Sequence, residues 1–140
     1  MRRGERGQAL IEVALVIPVL LLLAFGVVGA GRLVHAQMGV AGVVREAARA
    51  GALADTAAEA RARGEARGQD VARGYRLDNG SFQLTVDPGG FARGGQVRVA
   101  ARYEVALEDL PLLGWARIPV QSTHVERVEM YRSRWAGDGS

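Results

Sequence analysis

The sequence predicts an α+β fold: a long N-terminal helix, transmembrane in its first half and exported and amphipathic in its second, packed against a small antiparallel sheet of about three strands. Three observations carry this reading. From Gln8 to Gly31, 18 of 24 residues are Ala, Val, Leu, Ile or Phe. Residues 33–73 contain no Pro and keep apolar or small residues at helical spacing. From Ser81 onward, apolar and polar residues alternate with the period of a strand.

Length and charge bound the rest. A chain of 140 residues makes one domain, or a small domain plus one extra element. All 18 basic residues are Arg, set against 15 acidic ones, and the net charge of +3 is too small for a polyanion-binding surface. The absence of Cys excludes disulfides, thiolate metal sites and a thiol nucleophile. Mean hydropathy is close to neutral, but the neutrality is an average over two segregated halves.

The first element is the apolar run. Between Val13 and Gly31 there are 19 uncharged residues, which as a helix span roughly 28 Å at about 1.5 Å per residue, close to the hydrocarbon thickness of a bilayer. Arg2, Arg3 and Arg6 precede the run and Arg32 closes it. The bias of Arg toward the cytoplasmic side keeps the N-terminus inside and exports residues 32–140 across the cell membrane. A cleavable secretory signal ending near Val28-Gly29-Ala30 fits less well, because the run is too long and contains Glu12 and Pro18. The Gly26 to Gly31 stretch has the wrong glycine spacing for a dinucleotide loop and is followed by no strand–helix alternation.

Glu12 and Pro18 set this span apart. An ionised carboxylate at membrane depth costs about 2.5–3.5 kcal/mol on insertion scales. Glu12 either snorkels to the inner interface or has a partner. A cut after Gly7 supplies one: the new α-amine of Gln8, with an ordinary pKa near ~8, neutralises Glu12 of a neighbouring helix. Pro18 lacks an N–H and clashes with the carbonyl of Ala14, so a kink is expected between them.

Past Arg32 the helix enters water. Leu33, Val40, Val44, Ala47, Gly51, Ala54 and Ala58 recur at spacings of three, four or seven and shrink along the chain. Such small residues serve a bundle of neighbouring helices or a helix lying on its own C-terminal domain. Glu46 with Arg49 and Glu59 with Arg63 are spaced to pair. The Arg61 to Arg67 stretch carries interleaved acids and no aromatic residues, so it reads as a solvated face and not as a nucleic-acid site. Gly74 is the expected stop.

In the last third, Phe82, Leu84 and Val86 define one strand and Val97, Val99, Ala101, Tyr103 and Val105 a second. Asp87-Pro88-Gly89-Gly90 and Gly94-Gly95 mark the turn region of a hairpin. An apolar connection, Leu110 to Trp115, is either a contact patch or a covered edge, with covering the expectation, and a third strand lies within Ile118 to Tyr131 with an irregular alternation. Too small to stand alone, the sheet is expected to pack on the helix between about residues 40 and 70. On a strand, Ser122, His124 and Glu126 are same-face neighbours roughly 6.5–7 Å apart, beyond the reach of proton transfer. The only other His is His35. No catalytic, cofactor or metal site is predicted, nor a small-molecule substrate, and the chain does not read as an enzyme.

The N-terminal residues resemble a known family. Gly7-Gln8-Ala9-Leu10-Ile11-Glu12-Val13-Ala14-Leu15-Val16-Ile17-Pro18, the Leu20 to Leu23 run, Gly31-Arg32 and Arg45-Glu46-Ala47-Ala48-Arg49-Ala50-Gly51 are similar, in order, to the TadE-like pseudopilins of Tad/Flp pilus systems, relatives of type IV pilins. The resemblance covers roughly the first 50 residues. It implies a pilin-like fold, a basic leader at 1–7 removed by a prepilin peptidase between Gly7 and Gln8, and Glu12 as the carboxylate that sets subunit register. Val13 stands where many processed members carry Tyr. The implied layout continues with a transmembrane helix at 8–31, its exported extension at 32–75 and a β-sheet region at 76–140. The implied partners are membrane lipid, other pilin or pseudopilin subunits, prepilin peptidase and the pilus assembly platform. An uncleaved single-pass anchor displaying an extracytoplasmic binding module is the alternative.

Overall fold

The computed structural model describes residues 3–92 and 94–128, with side chains from Gly7 onward. In chain order the elements are α1 (Arg3–Ala52), α2 (Ala57–Gly74), β1 (Gln83–Asp87), β2 (Gln96–Ala106) and β3 (Arg117–Arg127). The strands form one antiparallel sheet in the order β1-β2-β3. This is the α+β architecture expected from the sequence. The chain divides into two compact units, Met1–His35 with Val105–Ile118, and Ala36–Glu104 with Pro119–Ser140.

In the larger unit, α2 is a thin helix held between α1 and the sheet. Its buried residues are Ala60, Gly64, Gly68 and Ala72, one small residue per turn. A Cβ on Gly64 would lie 3.2 Å from the Ala47 carbonyl oxygen of α1 and 3.0 Å from Val86 Cγ1 of β1. Gly68 faces Ala47 and Leu84 in the same way, and Gly51 of α1 faces the Ala60 carbonyl. The small-residue stripe is therefore used inside the chain. Val40, Val43 and Val44 of α1, Leu77, and Val97 and Val99 of β2 form the fully buried centre.

The helical segment 32–75 is not continuous, as the sequence reading had it. It breaks after Ala52, where Ala54 N–H donates to the Gly51 carbonyl. Thr56, in extended geometry, then caps α2 by accepting from Glu59 N–H, while the Glu59 carboxylate accepts from Asp55 N–H at 2.9 Å. These are the parts of a capping box, shifted by one residue on the return bond. The new helix starts in a new register, which is why Ala54 is buried while Ala58, the last member of the expected stripe, is exposed.

Gly74 does end α2, but the left-handed residue that closes it is Arg76, at φ 57°. Arg76 N–H donates to the Arg73 carbonyl and Leu77 N–H to the Ala72 carbonyl, a Schellman arrangement with Arg in the place usually taken by Gly. The turn seats Tyr75 on α1, over Gly39 and Gly42. A Cβ on Gly39 would be 3.0 Å from the Tyr75 ring.

The hairpin follows its alternation. Gln83 pairs with Arg102, Thr85 with Ala100 and Asp87 with Arg98 on the outer face, and Leu84 with Ala101 and Val86 with Val99 on the inner face. Asp87 Oδ1 accepts from Gly89 N–H at 2.9 Å, and Gly89 and Gly94 take positive φ in the turn region. β3 runs from Arg117, with Val120 buried and Val125 turned outward, which explains its irregular pattern. The stretch toward Tyr131 lies outside the described residues.

In the smaller unit the connection 107–116 folds on itself and seats on α1. Leu107 N–H donates to the Ala116 carbonyl, and Leu110, Leu113 and Ala116 each donate three residues back. Leu107 and Leu110 lie against Gly29, with the Leu110 Cδ1 atom 3.6 Å from where a Cβ would stand. Covering was expected of a sheet edge; what these leucines cover is the helix.

Candidate functional site: the amino-terminal helix

Each residue from Gly7 to Ala24 is exposed, although most are large and apolar. Leu10 is 70% and Val27 73% exposed. An α-helix satisfies its backbone internally, so this surface needs only an apolar environment to be stable, either lipid or other helices. α1 is the one described helix long and apolar enough to cross a membrane.

Gly7, Gln8 and Glu12 all lie in the first turns of α1. Gln8 and Glu12 are four residues apart, hence on the same face and separated axially by about 6 Å. The Glu12 side chain is exposed on that face. The helix continues through Pro18. The structure thus gathers the residues singled out in the sequence along one exposed rod. Of residues 1–7, only Gly7 has a described environment, and it is exposed.

At the other end of the apolar run, Arg32 donates two hydrogen bonds to the Asp109 carboxylate, at 2.5 and 2.6 Å. That bidentate bond, reinforced by the charge of the guanidinium, lowers the Asp109 pKa to about 2. Arg117 pairs with Glu108 at 2.9 Å. The Arg32–Asp109 pair is not readable from local spacing, because 77 residues separate the two. The only local signal was the clustering of Glu108 and Asp109 at the start of an otherwise apolar connection.

Elsewhere, Arg63, Arg67 and Arg73 of α2 are paired. Arg63 meets Glu59 at 2.5 Å, as spaced in the sequence. Glu46, expected to meet Arg49, instead meets Arg67 at 3.1 Å across the α1–α2 contact. His124 and Glu126 are closer than their strand spacing implied: Nε2 and Oε2 are 3.1 Å apart, because both side chains lean along the strand. The pair is half-exposed and sits on the sheet, with its hydrogen bond made to each other. Among the described residues no cluster of His, Asp or Glu is arranged to hold a metal ion.

Fold and site together define a class: an α+β protein carried on an exposed, apolar N-terminal helix of the kind that anchors proteins in membranes. Residues 7–49 match the family model described as TadE-like protein, the same family that the Gly7 to Gly51 motifs resemble. The match, which covers less than half of the chain, suggests a Tad pilus-associated, minor pilin-like protein; the TadE-like family itself is one of structural and not typically enzymatic proteins. It also suggests interaction with other pilus components. Searches of curated proteins and of solved structures returned no match.

Proposed function

We propose that this protein is a minor pilin or pseudopilin of a Tad/Flp pilus system, inserted in the cytoplasmic membrane with its N-terminus inside. A prepilin peptidase cuts it between Gly7 and Gln8. The observation that carries the proposal is the fully exposed helix from Gly7 to Ala24 with a carboxylate on its surface at Glu12, in a segment matching the TadE-like family. The enclosed part of the molecule leaves this surface entirely to lipid or to other subunits.

The chemistry of cleavage suits assembly. Removal of residues 1–7 takes away three Arg and Glu5 and creates an amine at Gln8. Because Gln8 and Glu12 are about 6 Å apart along the axis, a neighbouring helix shifted by that amount brings its amine level with this carboxylate. In an apolar surrounding, pairing offsets part of the burial penalty that either ion would meet alone. Helices out of register leave a charge unpaired, so the pair selects one axial offset. Pro18, with the Ala14 carbonyl left without its helical donor, supplies a point of bending on the way from bilayer to filament.

Mass spectrometry of the protein purified from its membrane tests processing: loss of Met1 to Gly7 is expected. An intact N-terminus favours the single-pass anchor, and a cut near Ala30 a secreted protein. For Glu12, replacement by Leu should leave membrane insertion intact and reduce surface pili; an unchanged pilus level sinks the register role.

A further inference from the structure

The connection between β2 and β3 carries an exposed apolar tip. Pro111, Leu112 and Trp115 are exposed, Leu112 by 73% and Trp115 by 83%, in a segment whose Leu107 and Leu110 are buried against α1 and whose Leu113 is half-buried. Four features show that the tip is held and not merely left over. Leu112 sits at φ 68°, a conformation unfavourable for a branched apolar residue, and it points its side chain outward. Trp115 Nε1–H donates to the Leu112 carbonyl at 3.1 Å, so the indole is fixed and its donor is satisfied without water. Both acids of the segment are paired, Asp109 with Arg32 and Glu108 with Arg117. Lastly, the segment is seated on Gly29, three residues inside Arg32, about 4.5 Å within the end of the apolar run.

We infer that the Pro111–Trp115 tip is a second membrane contact, inserting into the outer headgroup and acyl boundary beside the point where α1 leaves the bilayer. The inference rests on the reading of α1 as a membrane span. Its occupant is lipid, because the tip belongs to the same compact unit as the exposed apolar part of α1 and its own connection is seated, through Leu107 and Leu110, on Gly29 of that span. Trp is suited to that depth: its ring is apolar and large, and its polar edge tolerates the headgroup layer. The paired charges matter as much as the apolar tip. An unpaired Asp109 or Glu108 at this depth would oppose insertion, whereas each ion pair enters the interface with its charge already compensated. The Arg32–Asp109 bond therefore orients the tip as well as screening its charge.

Trp115 reports directly on this. In the full chain carrying Trp135→Phe, Trp115 is the sole tryptophan. The protein is reconstituted in vesicles of phosphatidylcholine and phosphatidylglycerol containing lipids brominated either near the headgroup or near the bilayer centre. The expected result is blue-shifted emission, several-fold protection from acrylamide, and stronger quenching by the shallow bromine than by the deep one. A parallel chain with Trp115→Phe, Trp135→Phe and Leu21→Trp reports on the span and should be quenched best by the deep bromine. If Leu21→Trp is quenched and Trp115 is open to acrylamide and untouched by bromine, the tip lies in water and the inference falls while the anchor stands. If Trp115 is shielded from both quenchers, protein covers it and the inference again falls. If Leu21→Trp is not lipid-quenched, the anchor reading fails and takes this one with it.

Discussion

Replacing Gly64 by Ala puts two physical effects in opposition. Alanine is the better helix former by about 1 kcal/mol, and Gly64 is in the interior of an 18-residue helix. Against this, the added methyl would stand 3.0 Å from Val86 Cγ1 and 3.2 Å from the Ala47 carbonyl oxygen, where carbon contacts prefer about 3.5–4.0 Å. Neither neighbour yields easily. Val86 is 3% exposed and lies opposite Val99 in the ladder, its branched side chain confined in χ1. The Ala47 carbonyl is helix backbone. Moving α2 away from one neighbour drives it into the other, so an overpacking cost of about 2–3 kcal/mol, at the upper end of the usual range, is expected. The net is a destabilisation of about 1–2 kcal/mol, read as a 5- to 30-fold acceleration of amide hydrogen exchange in α2 and β1, taking about 1.4 kcal/mol per factor of ten. The measurement uses the full chain in detergent micelles. Gly68→Ala is the control: it meets no backbone atom, its nearest obstacle is a terminal methyl of half-buried Leu84, which can swing aside, and the next is the Ala47 methyl at 3.3 Å, so its exchange should change less than that of Gly64→Ala. Slower exchange in Gly64→Ala than in the parent, or a larger effect at Gly68, would refute the sandwich as the source of the glycines.

Three further outcomes are expected. Thr56→Ala removes the side-chain acceptor of Glu59 N–H and should cost about 1 kcal/mol, seen as faster exchange in the first turn of α2. Arg76→Gly relieves the left-handed residue after α2 and should stabilise by about 1 kcal/mol or somewhat less, measured by the urea midpoint of the same exchange signals. The Asp109 carboxyl, held at about 2 against an ordinary 3.8, contributes stability that is complete above pH ~4 and is lost as the pH falls through ~2, since acid protonates it sooner in the unfolded chain. NMR titration of Asp109 should show this depressed midpoint, and Asp109→Asn should abolish that part of the acid sensitivity.

What the sequence disclosed depended on range. The apolar rod, the hairpin and the stop at Gly74 were legible because each is written in local periodicity or turn chemistry. Thr56-Ala57-Ala58-Glu59 was an equally local signal for the break in the helix, yet it was masked by alanines that continue the same spacing on both sides. The partners of Glu46 and Arg32 were not legible, since a guanidinium meets whichever carboxylate the tertiary fold brings near. His124 and Glu126 show the limit of reasoning from Cα spacing: backbone distance bounds side-chain reach only when the side chains stand upright. The role proposed for Gly7 and Glu12 rests on chemistry: a lone carboxylate in an apolar run demands a partner, and among the described residues Glu12 stands exposed.

The small-residue face of α2 has a consequence for sequence drift. Every single-nucleotide change that turns a glycine codon into another amino acid's adds at least a side-chain carbon, and at Gly64 even the first of these is crowded by Val86 and the Ala47 carbonyl. From Gly7 to Ala24, by contrast, every residue is exposed, so exchange among leucine, isoleucine and valine meets no packing limit within the described residues of the chain. The segment that looks most expendable on paper, a hydrophilic helix of alanine, arginine and glycine, is thus the one where the chain has least freedom to vary.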